Sequence, residues 1–222
     1  MNSCLLFDSD GTLVDSEIIN MRAMADELAQ QSISVNPDEL LNTYRGWRVK
    51  MVLEDLSALH NTKLDAAFEQ SFRLRASRYF DRDLQPVANI RTALEQLQQA
   101  RCVASNAPME KLLQVLNKTE LIQFFHGNLF SAYDLSMFKP DPGLFLHAAE
   151  SMEYGPENCI VIEDSLVGLQ AALAAKMKCV FYNPDSHHDS HDISTVMQNS
   201  QHNVVQIDDM LKLPRAVESL GG

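Results

Sequence analysis

A chain of 222 residues with 45% hydrophobic content is long enough for one sizeable core with a smaller module attached. Its formal net charge of −12 argues against nucleic-acid or anionic-membrane binding, both of which need clustered Lys and Arg. The four cysteines (Cys4, Cys102, Cys159 and Cys179) lack the CxxC spacing of zinc or redox sites and read as small buried hydrophobes in a reducing, cytoplasmic setting.

The run Cys4–Phe7 is short and wholly apolar, the pattern of a parallel strand covered on both faces. It stops at Asp8, and a loop with two carboxylates, Asp8 and Asp10, follows at once. Ser16-Glu17 then opens an amphipathic helix to about Gln30. Asn36-Pro37-Asp38-Glu39 is a helix start: a capping Asn, Pro at the first helical position, acids in the first turn. Arg45-Gly46-Trp47 reads as a loop and Met51–Leu59 as helix. Leu64, Phe68, Phe72, Ala76 and Phe80 recur every four residues, the stripe of another helix. Residues 16–82 are therefore expected to form an all-helical insertion. The arginines 73, 75, 78 and 82 in its last helix read as an ordinary charged face.

Beyond Leu84 helix and strand alternate. Helices are expected over Ile90–Gln99, Pro108–Leu116, Asp141–Met152, Leu166–Ala175 and near Asp209–Leu220. Strands are expected at Arg101–Ala104, Asn128–Ser131, Cys159–Ile162, Cys179–Tyr182 and Val204–Ile207. This alternation predicts an α/β fold with a parallel sheet, built from residues 1–15 and 83–222. The one biased segment, Asp185–Asp192, carries His187, His188 and His191 and reads as a solvated loop rather than a metal site.

Three apolar strands each end at polar residues: Phe7 at Asp8, Ala104 at Ser105-Asn106, Ile162 at Glu163-Asp164. In open α/β sheets, ligands bind beyond the carboxyl ends of strands, so adjacent placement of these three would gather their endings in one crevice. Carboxylates meeting there repel unless a cation lies between them. Asp8, Asp10 and Asp164 offer oxygen ligands suited to Mg²⁺, which often shares its site with a phosphate. Lys139 can add a fixed positive charge, and the Ser105 hydroxyl with the backbone N–H groups around Asn106 can donate to phosphate oxygens. An acidic chain can in this way still collect an anionic substrate.

The run Asp8-x-Asp10-Gly11-Thr12-Leu13-Val14-Asp15-Ser16, then Ser105-Asn106, Lys139-Pro140 and Glu163-Asp164-Ser165, resembles the four motifs of the haloacid dehalogenase superfamily, in their order and over the whole chain. The likeness is to its phosphoglucomutase-like branch of sugar-phosphate phosphatases. It implies a Rossmann-like catalytic core with the helical segment 16–82 as an inserted cap domain. It also implies a Mg²⁺-dependent phosphatase that forms an aspartyl-phosphate on a small phosphorylated metabolite. Asp8 would be the nucleophile and Asp10 the general acid and base. Ser105, Asn106 and Lys139 would bind the phosphoryl group. Asp8, the Asp10 backbone carbonyl and Asp164 would hold the metal, with Glu163 beside them or acting through water. Arg45 and Gly46 are the candidate substrate contacts in the cap, since an anion suits a guanidinium fork.

The sequence departs from the family pattern at Lys176, where glycine is usual, and at Ala88, where Pro-Gly is common. A phosphosugar mutase of the same branch is the alternative. Such mutases usually carry a His and an aromatic shortly after the position of Asp15, where this chain has Ile18, Ile19 and Asn20. A monomer or weak dimer is expected, with neither nucleic acid nor membrane as a partner.

Overall fold

The computed structural model describes residues 3–184, 190–197 and 203–221. Strand β1 (Cys4–Phe7) is buried at every residue, which is why its sequence shows no polar alternation. It lies between β2 (Ala100–Ser105) and β4 (Cys159–Glu163), with β3 (Leu129–Ser131) outside β2 and with β5 (Lys178–Tyr182) and β6 (Val204–Ile207) outside β4. The sheet order is β3-β2-β1-β4-β5-β6 and every pairing is parallel. The order reverses direction between β1 and β4, so the crevice that binds ligands in such sheets opens where these two strands end. In register, Phe7 faces Val103 on one side and Ile162 on the other. Asp8, the residues after β2 and Asp164 consequently leave the sheet at one level.

One face of the sheet buries Cys4, Leu6, Cys102, Ala104, Val161 and Phe181 against helices α8 (Gly143–Ser151) and α9 (Leu166–Ala174). On β1 the intervening Phe7 packs edge-on against Phe125, 5.7 Å between ring centres. All four cysteines are free thiols in the interior, as their apolar settings suggested.

Several ends differ from expectation for local reasons. Helix α5 (Ile90–Gln96) stops short of Gln99 because the Arg101 guanidinium donates to the carbonyls of Leu94, Leu97 and Gln99 and turns the chain into β2. The terminal helix divides into a 3-10 turn, Met210–Lys212, and α11 (Leu213–Gly221), where Pro214 sits in a first turn that does not need its missing N–H. A short helix α7 (Ala132–Leu135), capped by Ser131, and α10 (Ser190–Met197) went unread. His187 and His188 lie outside the described residues, and so does the side chain of His191.

The chain divides into two compact units, Met1–Val14 with Pro86–Gly222, and Asp15–Gln85. The second is helical: α1 (Glu17–Ala29), α2 (Pro37–Tyr44), α3 (Val49–Leu59) and α4 (Ala66–Asp83). The Asn36 side chain accepts from the Asp38 N–H at 2.8 Å, the cap read from the sequence. Helix α1 packs on α2 and α4, and α4 buries Phe68, Phe72, Ala76 and Phe80. Arg73 pairs with Glu69 at 2.6 Å and Arg82 with Asp83 at 2.6 Å within α4, and Arg75 reaches across to Glu27 of α1 at 2.7 Å, so three of these arginines have ion-pair partners within the helical unit. Among the described residues no helix is long and apolar enough to cross a membrane.

Candidate active site

The loop after β1 is fixed by its own backbone before any side chain is considered. The Asp8 N–H continues the sheet by donating to Ile162 at 2.9 Å. The N–H groups of Leu13 and Val14 both return to the Ser9 carbonyl, and Gly11 N–H donates to Val14 at 2.8 Å. Gly11 has φ of +84°, and a Cβ there would lie 2.0 Å from an Asp164 oxygen. This glycine serves two needs at once, a left-handed turn and close passage over a carboxylate. Thr12, next to it, donates its hydroxyl to Asp164 Oδ1 at 2.9 Å and so fixes the direction of that carboxylate.

Lys139 stands at the centre of the site. It is 4% exposed, and its Nζ donates to Asp8 Oδ1 at 2.5 Å and to Glu163 Oε2 at 2.7 Å, with the Phe145 ring centre 4.7 Å away. Burial works against its charge, but Asp8 and Glu163 outweigh burial and raise the Lys139 pKa above that of an ordinary ammonium. Asp8 is pushed up to about 7, first by burial and then by the Glu163 carboxylate, against the pull of Lys139. The peptide of Lys139 is itself clamped. Asn106 accepts from the Lys139 N–H at 3.0 Å and donates to its carbonyl at 3.4 Å. The Asn106 amide thus ties the loop after β2 to the lysine.

Glu163 ends β4 with both oxygens engaged. Oε2 takes Lys139, and Oε1 takes the Ser165 hydroxyl at 2.6 Å and the Ser165 N–H at 3.1 Å. The same Ser165 oxygen accepts from Gly168 N–H and caps α9. A Cβ on Gly168 would lie 2.0 Å from Glu163 Cδ, so the helix approaches the carboxylate through a glycine.

Asp8, Glu163 and Asp164 are all buried, and each offers a carboxylate oxygen within 4.8 Å of the others. Three carboxylates against the one ammonium of Lys139 leave a charge of about −2 in a dry site, which a divalent ion balances. The donors are all oxygen, the set that suits a hard cation such as Mg²⁺. Burial first, and then the neighbouring Glu163 carboxylate, raise the pKa of Asp8. The residues therefore fit such an ion, with Asp8 and Asp164 the better side-chain ligands because Glu163 is already satisfied by Lys139 and Ser165.

The other expected residues fall as follows. Ser105 is 1% exposed at the end of β2, and its Oγ accepts from Ala107 N–H at 3.2 Å, the turn that leads into α6 (Met109–Lys118). Ser131 supports that turn by donating to the Ala107 carbonyl at 2.8 Å. The Asp10 carboxylate does not join the acidic group: its Oδ2 accepts from Lys111 Nζ at 2.8 Å. Arg45 and Gly46 belong to the helical unit, where Arg45 pairs with Glu17. Trp47 packs edge-on to Tyr44, 5.5 Å between centres.

Sequence reasoning placed Thr12 in a motif without giving it a role, and it missed Lys111, Ser131 and Gly168 at this site. Lys111 had one visible signal. It stands in the first turn of a helix, where the macrodipole disfavours a positive charge, so a lysine there needs a local reason.

The model of the haloacid dehalogenase-like hydrolase family matches residues 3–176. The 6-phosphogluconate phosphatase of Escherichia coli (strain K12) is 33% identical over 184 residues, which cover 82% of this chain and 83% of that protein. Hexitol phosphatase B of the same strain is 28% identical over 180 residues, covering 79% and 81%. In structure, a conserved haloacid dehalogenase-like protein of Agrobacterium tumefaciens str. C58 aligns over 100% of both chains with a TM-score of 0.84 and 27% identity. With the four motif segments gathered at the ends of β1, β2 and β4, the chain belongs to the haloacid dehalogenase-like hydrolases.

Proposed function

We propose that the chain is a Mg²⁺-dependent phosphatase that hydrolyses a small phosphorylated metabolite of the sugar-phosphate class through an aspartyl-phosphate on Asp8. The observation that carries this reading is the buried Asp8–Lys139–Glu163 group beside Asp164 at the switch point of the sheet. The phosphatase names of the relatives at 33% and 28% identity support the substrate class.

In this reading an Asp8 oxygen attacks phosphorus and the ester bond to the leaving alcohol breaks. Asp10 gives that oxygen a proton, then takes one from the water that attacks phosphorus as the bond to Asp8 breaks, which frees phosphate and restores the Asp8 carboxylate. Ser105 and Lys139 hold the transferring phosphoryl group, Lys139 as a charge fixed in a dry setting where it acts strongly. Asn106 acts through Lys139 by holding its peptide. Mg²⁺ would be held by Asp8, Asp164 and the Asp10 carbonyl, with Glu163 beside them, and would supply positive charge that offsets a phosphate dianion in an acidic site. The helical unit serves as the cap that selects the leaving group, with Arg45 and Gly46 its recognition residues.

A phosphate-release screen over phosphorylated metabolites, with Mg²⁺ and with a chelator, tests the reading. Release from sugar phosphates that needs Mg²⁺ and vanishes in Asp8→Asn is expected. Turnover that survives in Asp8→Asn sinks the covalent mechanism. Isomerisation of a sugar phosphate without phosphate release makes the enzyme a mutase.

A further inference from the structure

We infer that Lys111 is a positioning residue that orients the Asp10 carboxyl for proton transfer to the leaving group. The inference rests on the phosphatase reading above, and on one contact that no motif contains. Lys111 Nζ lies 2.8 Å from Asp10 Oδ2, with side chains 19% and 25% exposed. The contact spans 101 residues of sequence and joins α6 to the loop after β1, both within the core unit.

The chemistry of the pair gives the carboxyl a direction. An ammonium has donors only, so it bonds best to the unprotonated, more basic oxygen of the carboxyl. Oδ2 is held by the lysine, and the proton that Asp10 hands over belongs on Oδ1. In the first half-reaction an Asp8 oxygen forms a bond to phosphorus and the phosphorus–oxygen ester bond breaks. The electron pair of that bond goes to the leaving oxygen, which takes the Oδ1 proton. A carboxyl on a two-bond side chain would otherwise turn about a staggered χ1 and a broad χ2, and misaligned proton donors lose most of their value. The helix position of Lys111 agrees with this. As the third residue of α6 its charge opposes the macrodipole, a cost that the partner carboxylate offsets.

General acid assistance matters for a poor leaving group and little for a good one, and this separates the proposed role from a structural one. The value of kcat/KM reports the first chemical step. Lys111→Met and Lys111→Gln, assayed separately so that a folding defect in one leaves the other, are expected to lower kcat/KM for the best alkyl sugar phosphate by roughly tenfold or more. The same variants lower kcat/KM for p-nitrophenyl phosphate, whose leaving group needs no proton, by less than about threefold. In an Asp10→Asn background, removing Lys111 brings no further loss on the alkyl ester. Equal losses on both esters, no loss on either, or additive losses in the double variant overturn the inference. Additivity would mean that Lys111 touches the substrate rather than Asp10. A wild-type protein that releases phosphate from no ester sinks the phosphatase reading itself, whereas an active wild type with even losses sinks only the role of Lys111.

Discussion

Lys139 holds two carboxylates in a setting with little water, and the balance among these three groups sets how the site responds to pH. In the folded chain Asp8 keeps its proton up to about pH 7, against a value of 3.8 for the unperturbed group. Its contribution to the stability of the metal-free protein is therefore fully present below about pH 4 and is lost as pH rises through about 7. Asp8→Asn removes the titration and leaves Lys139 paired with Glu163. The difference in Tm between Asp8→Asn and wild type, measured in a chelator, should grow in favour of the variant between pH 5 and pH 8. Saturating Mg²⁺ should shrink that difference, because the ion favours the carboxylate. A difference that stays flat across this range would mean that Asp8 is already ionised at pH 5 and that the excess negative charge is relieved elsewhere.

Elements hold these residues in place, and glycines decide how closely they approach. Gly168 lets α9 run against Glu163, whose Cδ would lie 2.0 Å from an added Cβ. Glu163 has nowhere to go while Lys139 and Ser165 hold its oxygens. Gly168→Ala should cost more than about 2 kcal/mol in denaturant unfolding and weaken activity with it. A loss under about 0.5 kcal/mol would mean that α9 shifts freely. At the other end of α9 the missing glycine has the opposite meaning. Lys176 has φ of +58°, its N–H donates to Leu173 and that of Met177 to Ala172, a Schellman ending that normally uses glycine. Lys176→Gly should stabilise the protein by about 1 kcal/mol in the same assay, and no gain would show that the lysine earns its strain through another contact. The turn at Ala88 is explained the same way: its left-handed residue is Asn89, φ +64°, the side chain that tolerates this region best after glycine. How much the sequence revealed followed from range. Strands β1 and β4 were legible because burial on both faces removes every polar residue, and the Asn36 cap because its partner is two residues away. The early end of α5 was hidden because Arg101 sets it from the next strand. Lys111 and the Asn106 clamp on Lys139 were hidden because their partners lie 101 and 33 residues off, and only the folded sheet brings them near.

At the scale of the whole molecule the formal charge of −12 opposes the arrival of a phosphate dianion, while in the proposed reading the charges that would receive it are local to the site: Lys139 and a divalent ion held by Asp8 and Asp164. Ionic strength separates the two contributions. At 0.01 M salt the screening length is about 30 Å, so an approaching anion feels the entire acidic surface; at 0.15 M it is about 8 Å, and only the charges around the site remain in view. Raising KCl between these values at a fixed, saturating Mg²⁺ concentration should therefore raise kcat/KM, by roughly two- to fivefold, with kcat nearly unchanged because the bound complex is already inside the screening length. Most enzymes that gather anions with a broad basic surface show the reverse dependence. A fall in kcat/KM with salt would mean that the positive field of the site extends well beyond Lys139 and a bound divalent ion, and would place further cationic residues along the approach.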